Sequence, residues 1–195
     1  QAAGAGSQTA GLAFGGETSG GDTANTEEYN GSSWSEQTNL PATTKDQVGF
    51  GTQTAGVSCS GAPNTVTYKY DGSSWTSSGA LNTGRTNAAG CGSQTAGVIF
   101  GGSPSVTATE EFNGSSWTTN PNAMPESNLT SVEGYDGTAW STRPSLANAH
   151  TGGCSGQGAA PASANWISGG NPATNTTEEF TGDTTAANVK TFTTS

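Results

Sequence analysis

The sequence predicts an all-β protein assembled from short four-stranded units, and three observations carry that expectation. The chain of 195 residues repeats itself with a period near 41, since Trp34 to Trp75 is 41 residues and Trp75 to Trp117 is 42. Each repeat holds an Asn-Gly or Asp-Gly pair between apolar positions, which is the strongest short-range signal for a β-hairpin. No window sustains the apolar period of about 3.6 that an amphipathic helix requires.

Composition alone argues against any fold. Leu, Ile, Val and Phe supply only 20 residues while Gly (30), Ser (24) and Thr (32) supply 86, and the net charge is -10. Those values fall in the region of disordered chains, which bury too little apolar surface to offset chain entropy. Pro plus Gly, at 38 of 195, stays below the roughly 25–30% of low-complexity disorder. Order therefore has to come from repetition and from the regularly spaced aromatic residues.

The repeat is read in chain order. The string GSQTAG at Gly6 to Gly11 returns as GTQTAG at Gly51 to Gly56 and as GSQTAG at Gly92 to Gly97. The strand that follows alternates Ala10, Leu12 and Phe14 with Gly11, Ala13 and Gly15, giving one apolar face and one of almost no bulk. Ala55, Val57, Cys59 and then Ala96, Val98, Phe100 continue that register. A strand so built suits a site crowded by neighbouring backbone.

A hairpin comes next, on Asn30-Gly31, Asp71-Gly72, Asn113-Gly114 and Asp136-Gly137. A two-residue loop sets Tyr29 diagonal to Trp34, and a four-residue loop pairs them directly; both place the aromatics on one face. Tyr70 with Trp75, Phe112 with Trp117 and Tyr135 with Trp140 repeat the arrangement, which predicts a largely aromatic core. A further strand precedes each QTAG, at about Gln47 to Gln53, Asn87 to Gln94 and His150 to Gln157, with Phe50, Cys91, Cys154 and, at the start, Ala5 pointing inward. The chain thus begins on what reads as a last strand and ends on EEFTGDTTAANVKTF, which lacks one. Pairing of the N- and C-terminal strands in one blade is the expected closure.

Units are expected at roughly 9–53, 54–94, 95–128, 129–157 and 158–195 plus 1–8, in a single repeat domain over 1–195. Only 23 residues separate Trp117 from Trp140, so that unit holds little more than a hairpin. Four full blades and one partial blade follow, which is compatible with a regular small propeller, a five-bladed ring with a thin blade, or a ring completed by another subunit.

The pattern resembles the kelch family of β-propellers, in which a glycine pair ends a strand and a Tyr and then a Trp follow. The matching marks are Gly15 and Gly16 with Tyr29 and Trp34, Gly101 and Gly102 with Phe112 and Trp117, and Gly169 and Gly170 with Phe180. Ser60 and Gly61 replace the pair in the second unit. The wording GSQTAGLAFGG followed by EEYNGSSW is similar to the kelch-like repeats of marine bacteriophage virion proteins. That resemblance implies a kelch-like β-propeller of four to five short four-stranded blades with a structural or host-attachment role.

Charge excludes several classes. Fifteen acidic residues face only Lys45, Lys69, Lys190, Arg85 and Arg143, so neither nucleic acid nor an anionic membrane surface is an expected partner. No apolar run approaches the about 18 residues of a membrane span. No charged-then-apolar leader follows Gln1, so no targeting signal is expected.

Candidate chemistry is sparse. His150 is the single histidine and cannot complete a zinc or copper set with a second imidazole; the copper-radical oxidases of the kelch family need histidines that this chain lacks. Cys59, Cys91 and Cys154 stand where other units carry Phe and read as small buried thiols, unpaired because Cys91 and Cys154 occupy equivalent places in different units. Glu27 with Glu28, Glu110 with Glu111 and Glu178 with Glu179 are adjacent on strands and point to opposite faces, so no pair forms a glycosidase dyad; they read as solvated strand edges that discourage aggregation. The DGSSW turns resemble the aspartate boxes of sialidase propellers, whose sites need several arginines, and Arg85 and Arg143 read instead as structural partners.

The expected protein is a non-enzymatic virion component without cofactor, present in multiple copies and located on a particle or outside the cell. Its partners are expected among other virion proteins or host surface glycans. Specificity is expected in the connections that vary most between repeats, Glu17 to Asn25, Pro63 to Thr65, Ser103 to Thr107 and Asn171 to Thr176. A bacterial lectin-like or adhesive module is the alternative expectation.

Overall fold

A computed structural model describes residues 1–61, 65–104, 107–123, 132–135, 138, 140–143, 154–155, 164–168, 176–181 and 189–193. Among these residues there are strands and turns and no helix. The chain divides into two compact units, Gln1–Pro121 and Asn122–Ser195.

In the first unit, β1 (Ala3–Ser7), β2 (Ala10–Phe14), β3 (Glu17–Thr18), β4 (Gly21–Asp22), β5 (Thr26–Tyr29) and β6 (Trp34–Glu36) come first. They are followed by β7 (Gln47–Thr52), β8 (Ala55–Ser60), β9 (Thr67–Tyr70) and β10 (Trp75–Ser77), then β11 (Ala89–Ser93), β12 (Ala96–Phe100), β13 (Thr109–Phe112) and β14 (Trp117–Asn120). Three four-stranded antiparallel sheets result, β1-β2-β5-β6, β7-β8-β9-β10 and β11-β12-β13-β14, with β3-β4 as a small extra hairpin. We call the three sheets blades 1 to 3. The second unit holds the hairpin of β15 (Val132–Tyr135) and β16 (Trp140–Arg143), and a four-stranded sheet of β17 (Cys154–Ser155), β18 (Ala164–Ser168), β19 (Thr176–Thr181) and β20 (Val189–Thr193). Among the described residues these four-stranded antiparallel sheets are consistent with the blade-like units that the repeat predicts.

The assignment of the strand before QTAG needs correction. Gly6 pairs Gly11, Gly51 pairs Gly56 and Gly92 pairs Gly97 across two-residue turns, so that strand opens its own blade. N- and C-terminal strands accordingly do not share a blade: β1 lies at the edge of its sheet beside β2, and β20 at the edge of its sheet beside β19. The physical reason is local. A hairpin closed by two residues forms before any pairing between chain ends, whose closure entropy grows with the length of the loop.

The aromatic hairpin has the longer loop. Tyr29 pairs Trp34, Tyr70 pairs Trp75, Phe112 pairs Trp117 and Tyr135 pairs Trp140. Asn30, Asp71 and Asn113 accept bonds from the amides two and three residues on. Gly31, Gly72 and Gly114 sit at φ of 92, 91 and 93°, a region that glycine enters without steric cost. Ring centroids of the three described pairs lie 5.1, 4.9 and 4.9 Å apart in tilted stacks.

Burial concentrates between consecutive blades. Leu12, Phe14, Leu40, Tyr70 and Trp75 form one cluster, joining blades 1 and 2; Val48, Phe50, Val57, Cys59, Leu81, Ile99, Phe112 and Trp117 form the other, joining blades 2 and 3. The core is therefore aromatic and aliphatic in comparable measure. The bare face of the second strand is where the preceding blade enters. A Cβ on Gly56 would lie 2.7 Å from Leu12 Cδ2, and one on Gly97 would lie 2.5 Å from Phe50 Cζ.

Candidate functional site

Strand direction divides the two ends of each blade in the first unit. One end carries only uniform turns: Gln8-Thr9, Gln53-Thr54 and Gln94-Thr95 between the first two strands, and the Asn or Asp turns between the last two. The opposite end carries every connection that differs between repeats, namely the loops from second to third strand and the linkers from one blade to the next. That end is the candidate site, because a fixed scaffold with variable connections is where binding residues accumulate.

The first of these loops is ordered by charge. Lys45 Nζ lies 2.8 Å from Glu17 Oε1 and 3.2 Å from Asp22 Oδ1, bridging the β3-β4 hairpin to the following linker. Its hydrogen bonds to Glu17 and Asp22 push the ammonium up to about 12. Backbone bonds add to the tie, with Gly16 N donating to Thr44 O and Thr44 N to Thr23 O. Of the loops expected to vary, Glu17 to Asn25 is described in full; Pro63 and Asn64 in the second, Ser105 and Val106 in the third, and Asn171 to Asn175 in the fourth lie outside the described residues.

Arg85 and Glu110 hold the next part of this end. Both are fully buried, and Arg85 Nη2 donates to Glu110 Oε1 at 2.6 Å. Arg85 also donates to the carbonyls of Thr83, Gly101 and Ala108, while Glu110 accepts from the amides of Asn82 and Thr83 and from Asn82 Nδ2. The side-chain bonds of this pair stay within blade 3 and the linker that enters it, while the Arg85 carbonyl accepts from Ser60 Oγ and Gly61 N at the end of β8. Arg85 is thus structural, as expected. Glu110 departs from the expectation of a solvated edge, since an arginine and two backbone amides satisfy its carboxylate in the interior.

Residues immediately before the first strands form a connected row. Asp46 N donates to Gln1 O, Asn87 N donates to Asp46 O, and the terminal amine lies 3.0 Å from Asp46 Oδ1. Asp46, Asn87 and Ser60, at φ of 57, 52 and 69°, are the described non-glycine residues with positive φ. All three lie at the variable end, where backbone held in a sparsely populated region is a feature that binding sites share. A cavity of about 10 Å³, lined by Thr43, Thr44, Ser58, Ser60 and Tyr68 among others, has room for about one water molecule.

The remaining candidates are placed as follows. Cys59 is buried and unpaired, and burial pushes its thiol well above the usual range. Cys91 is free but exposed, which corrects the expectation that it is buried; its strand neighbour Gly90 is the residue that faces Val48 of blade 2, so alternation along β11 turns the Cys91 thiol away from blade 2. Cys154, Arg143, Glu178 and Glu179 are placed on β17, β16 and β19 by strand register alone, and His150 lies outside the described residues. Glu28 accepts a bond from Tyr70 Oη at 3.0 Å while Glu27 is exposed, so the adjacent pair does point to opposite faces. Burial and the bond to Glu28 push the Tyr70 phenol up to about 12. Among the described residues no three His, Cys, Asp or Glu side chains gather as a metal site.

These features define an all-β repeat protein built from blade-like four-stranded sheets with a constant end and a variable end. No family model and no curated protein matches the sequence. Among solved structures the chain is similar to YjhT, a kelch-like β-propeller, with a TM-score of 0.51 and 16% identity over 60% of this chain and 44% of that one. The chain thus spans less than half the length of that structure, and a likeness at this identity concerns the fold alone.

Proposed function

We propose that the chain is a kelch-like β-propeller that serves as a non-enzymatic structural or host-attachment protein of a bacteriophage particle. In this reading successive blades follow one another round an axis lined by the first strands. The variable end contacts another virion protein or a host surface glycan. The single observation that carries the reading is the separation of the two ends, one repeating the same turns in each blade and the other differing in each. A scaffold so divided can change its contacts without changing its packing. The wording of the repeats, similar to that of marine phage virion proteins, supplies the particle. Display in many copies would turn weak single contacts into firm attachment.

Mass spectrometry of density-purified particles tests the proposal by counting this chain against the major capsid protein. A fixed ratio that survives a high-salt wash is the expected result. Absence from particles together with presence in the medium or on cells would overturn it, and a lectin-like extracellular module would take its place.

A further inference from the structure

Asn30-Gly31 and Asn113-Gly114 are the asparagine-glycine pairs of the chain, and their turns are built alike, with glycine φ of 92 and 93°. In each turn the asparagine Oδ1 accepts from two backbone amides. Those of Ser32 and Ser33 lie at 3.0 Å in blade 1, and those of Ser115 and Ser116 at 3.0 and 2.9 Å in blade 3. Among the described residues no acceptor takes Nδ2 of either asparagine or the amide of Gly31 or Gly114. Other asparagines differ. Asn82, Asn87, Asn120 and Asn122 donate from Nδ2, and no described asparagine outside the two turns precedes a glycine.

We propose that these two turns are sites of deamidation, at which Asn30 and Asn113 become aspartate with water as the co-reactant. The glycine nitrogen bonds to Cγ of the asparagine, the Cγ–Nδ2 bond breaks, and ammonia leaves carrying the proton that the glycine nitrogen gave up. Water then opens the five-membered imide, its hydroxyl going to Cγ and its proton to the glycine nitrogen. Attack at Cγ pushes negative charge onto Oδ1. The two serine amides already donate to that atom, so they stabilise the charge as it forms. Glycine suits the attacking position because it has no Cβ to obstruct the approach of its nitrogen and turns at little steric cost.

Blade 2 already carries the product. Asp71 stands at the same turn position, accepts from the Ser73 and Ser74 amides at 2.9 and 2.8 Å, and adds bonds from the Ser73 and Ser74 hydroxyls at 2.8 and 3.2 Å. Ser32, Ser33, Ser115 and Ser116 offer equivalent hydroxyls, and Ser116 Oγ lies 3.4 Å from Asn113 Oδ1. Opening of the imide at Cγ leaves the main chain as it was. Opening at the other carbonyl gives isoaspartate, whose lengthened main chain breaks the pairing of Tyr29 with Trp34 or of Phe112 with Trp117. The folded turns therefore yield aspartate, whereas an unfolded chain yields mainly isoaspartate. Lys69 restrains one of the two sites. Its Nζ donates to Gly114 O at 2.9 Å and holds that turn against the rotation that brings nitrogen to Cγ. Each conversion adds a negative charge to a chain already at -10.

Peptide mapping by mass spectrometry tests this, on the full chain held at mildly alkaline pH either folded or in urea, with fragmentation that separates aspartate from isoaspartate. Conversion at Asn30 and Asn113 ahead of every other asparagine is expected, with aspartate the major product in the folded chain and isoaspartate in urea. Lys69→Met keeps the aliphatic stem and removes the bond to Gly114. It is expected to speed Asn113 by about three- to tenfold relative to Asn30 in the same molecule, the worth of one hydrogen bond. Turns that stay intact in the folded chain while the same turns react in urea overturn the proposal, as does isoaspartate as the major product in both states. A rate at Asn113 that Lys69→Met leaves unchanged, or raises no more than at Asn30, overturns the restraint assigned to Lys69.

Discussion

Asp71 occupies the turn position that Asn30 and Asn113 hold in the neighbouring blades, and it alone of the three carries a charge. Bonds from the Ser74 amide, the Ser73 hydroxyl and the Ser73 amide hold its carboxyl down at about 2. A carboxylate depressed in the folded state contributes stability that is present above its unfolded value, near 3.8, and is lost as pH falls through about 2. The group is exposed, so the effect is small. Asp71→Asn is expected to leave the fold intact and to reduce the loss of stability between pH 4 and 2, as read by urea denaturation across that range. At the opposite extreme of burial, Glu110→Ala strands the Arg85 guanidinium and two amides in the interior. It is expected to cost about 3–5 kcal/mol in the free energy of unfolding read by urea denaturation, the range for breaking a buried ion pair. Glu111→Ala, on the next residue, should cost well under half of that. The turn was legible in the sequence because an Asn-Gly or Asp-Gly pair acts over four residues. The ion pair was not, because Arg85 and Glu110 are 25 residues apart and nothing in the local pattern of TEEF says which carboxylate turns inward.

At the scale of the element, each second strand is an apolar strand whose other face has been cleared for the blade before it. The alternation of Leu12 and Phe14 with Gly11 and Ala13 already marked that bare face. Gly97→Ala is expected to destabilise by about 1–3 kcal/mol through overpacking against the Phe50 ring. In a Phe50→Leu background the same change should cost less, and a double-mutant cycle of denaturation midpoints would read that coupling. The strand before QTAG shows the limit of reading elements singly. Its position, with Gln47–Thr52 and Ala89–Ser93 observed, follows from the sequence to within a residue or two. Its membership in the blade that follows does not, since a strand with turns on both sides has two candidate neighbours.

Across the whole molecule the acidic excess of 15 carboxylates over 5 basic side chains opposes compaction by self-repulsion. Raising the ionic strength from about 0.01 to about 0.15 M shortens the screening length from about 30 to about 8 Å. Salt is therefore expected to raise the urea midpoint modestly, and an unchanged or lowered midpoint would place the controlling charges in favourable pairs such as Lys45 with Glu17 and Asp22. Repetition determined most of what the sequence could give by itself: strands, hairpins, the aromatic pairs and the four-stranded units. Each of these depends on residues within a few positions of one another, where backbone sterics and alternation act. Only the tertiary structure decided which strand joins which sheet, that Glu110 is buried while Cys91 is open, and that Trp34 stands exposed where Trp75 and Trp117 are covered. Those outcomes depend on what lies beside a blade, and identical repeats acquire different surroundings only when they are stacked.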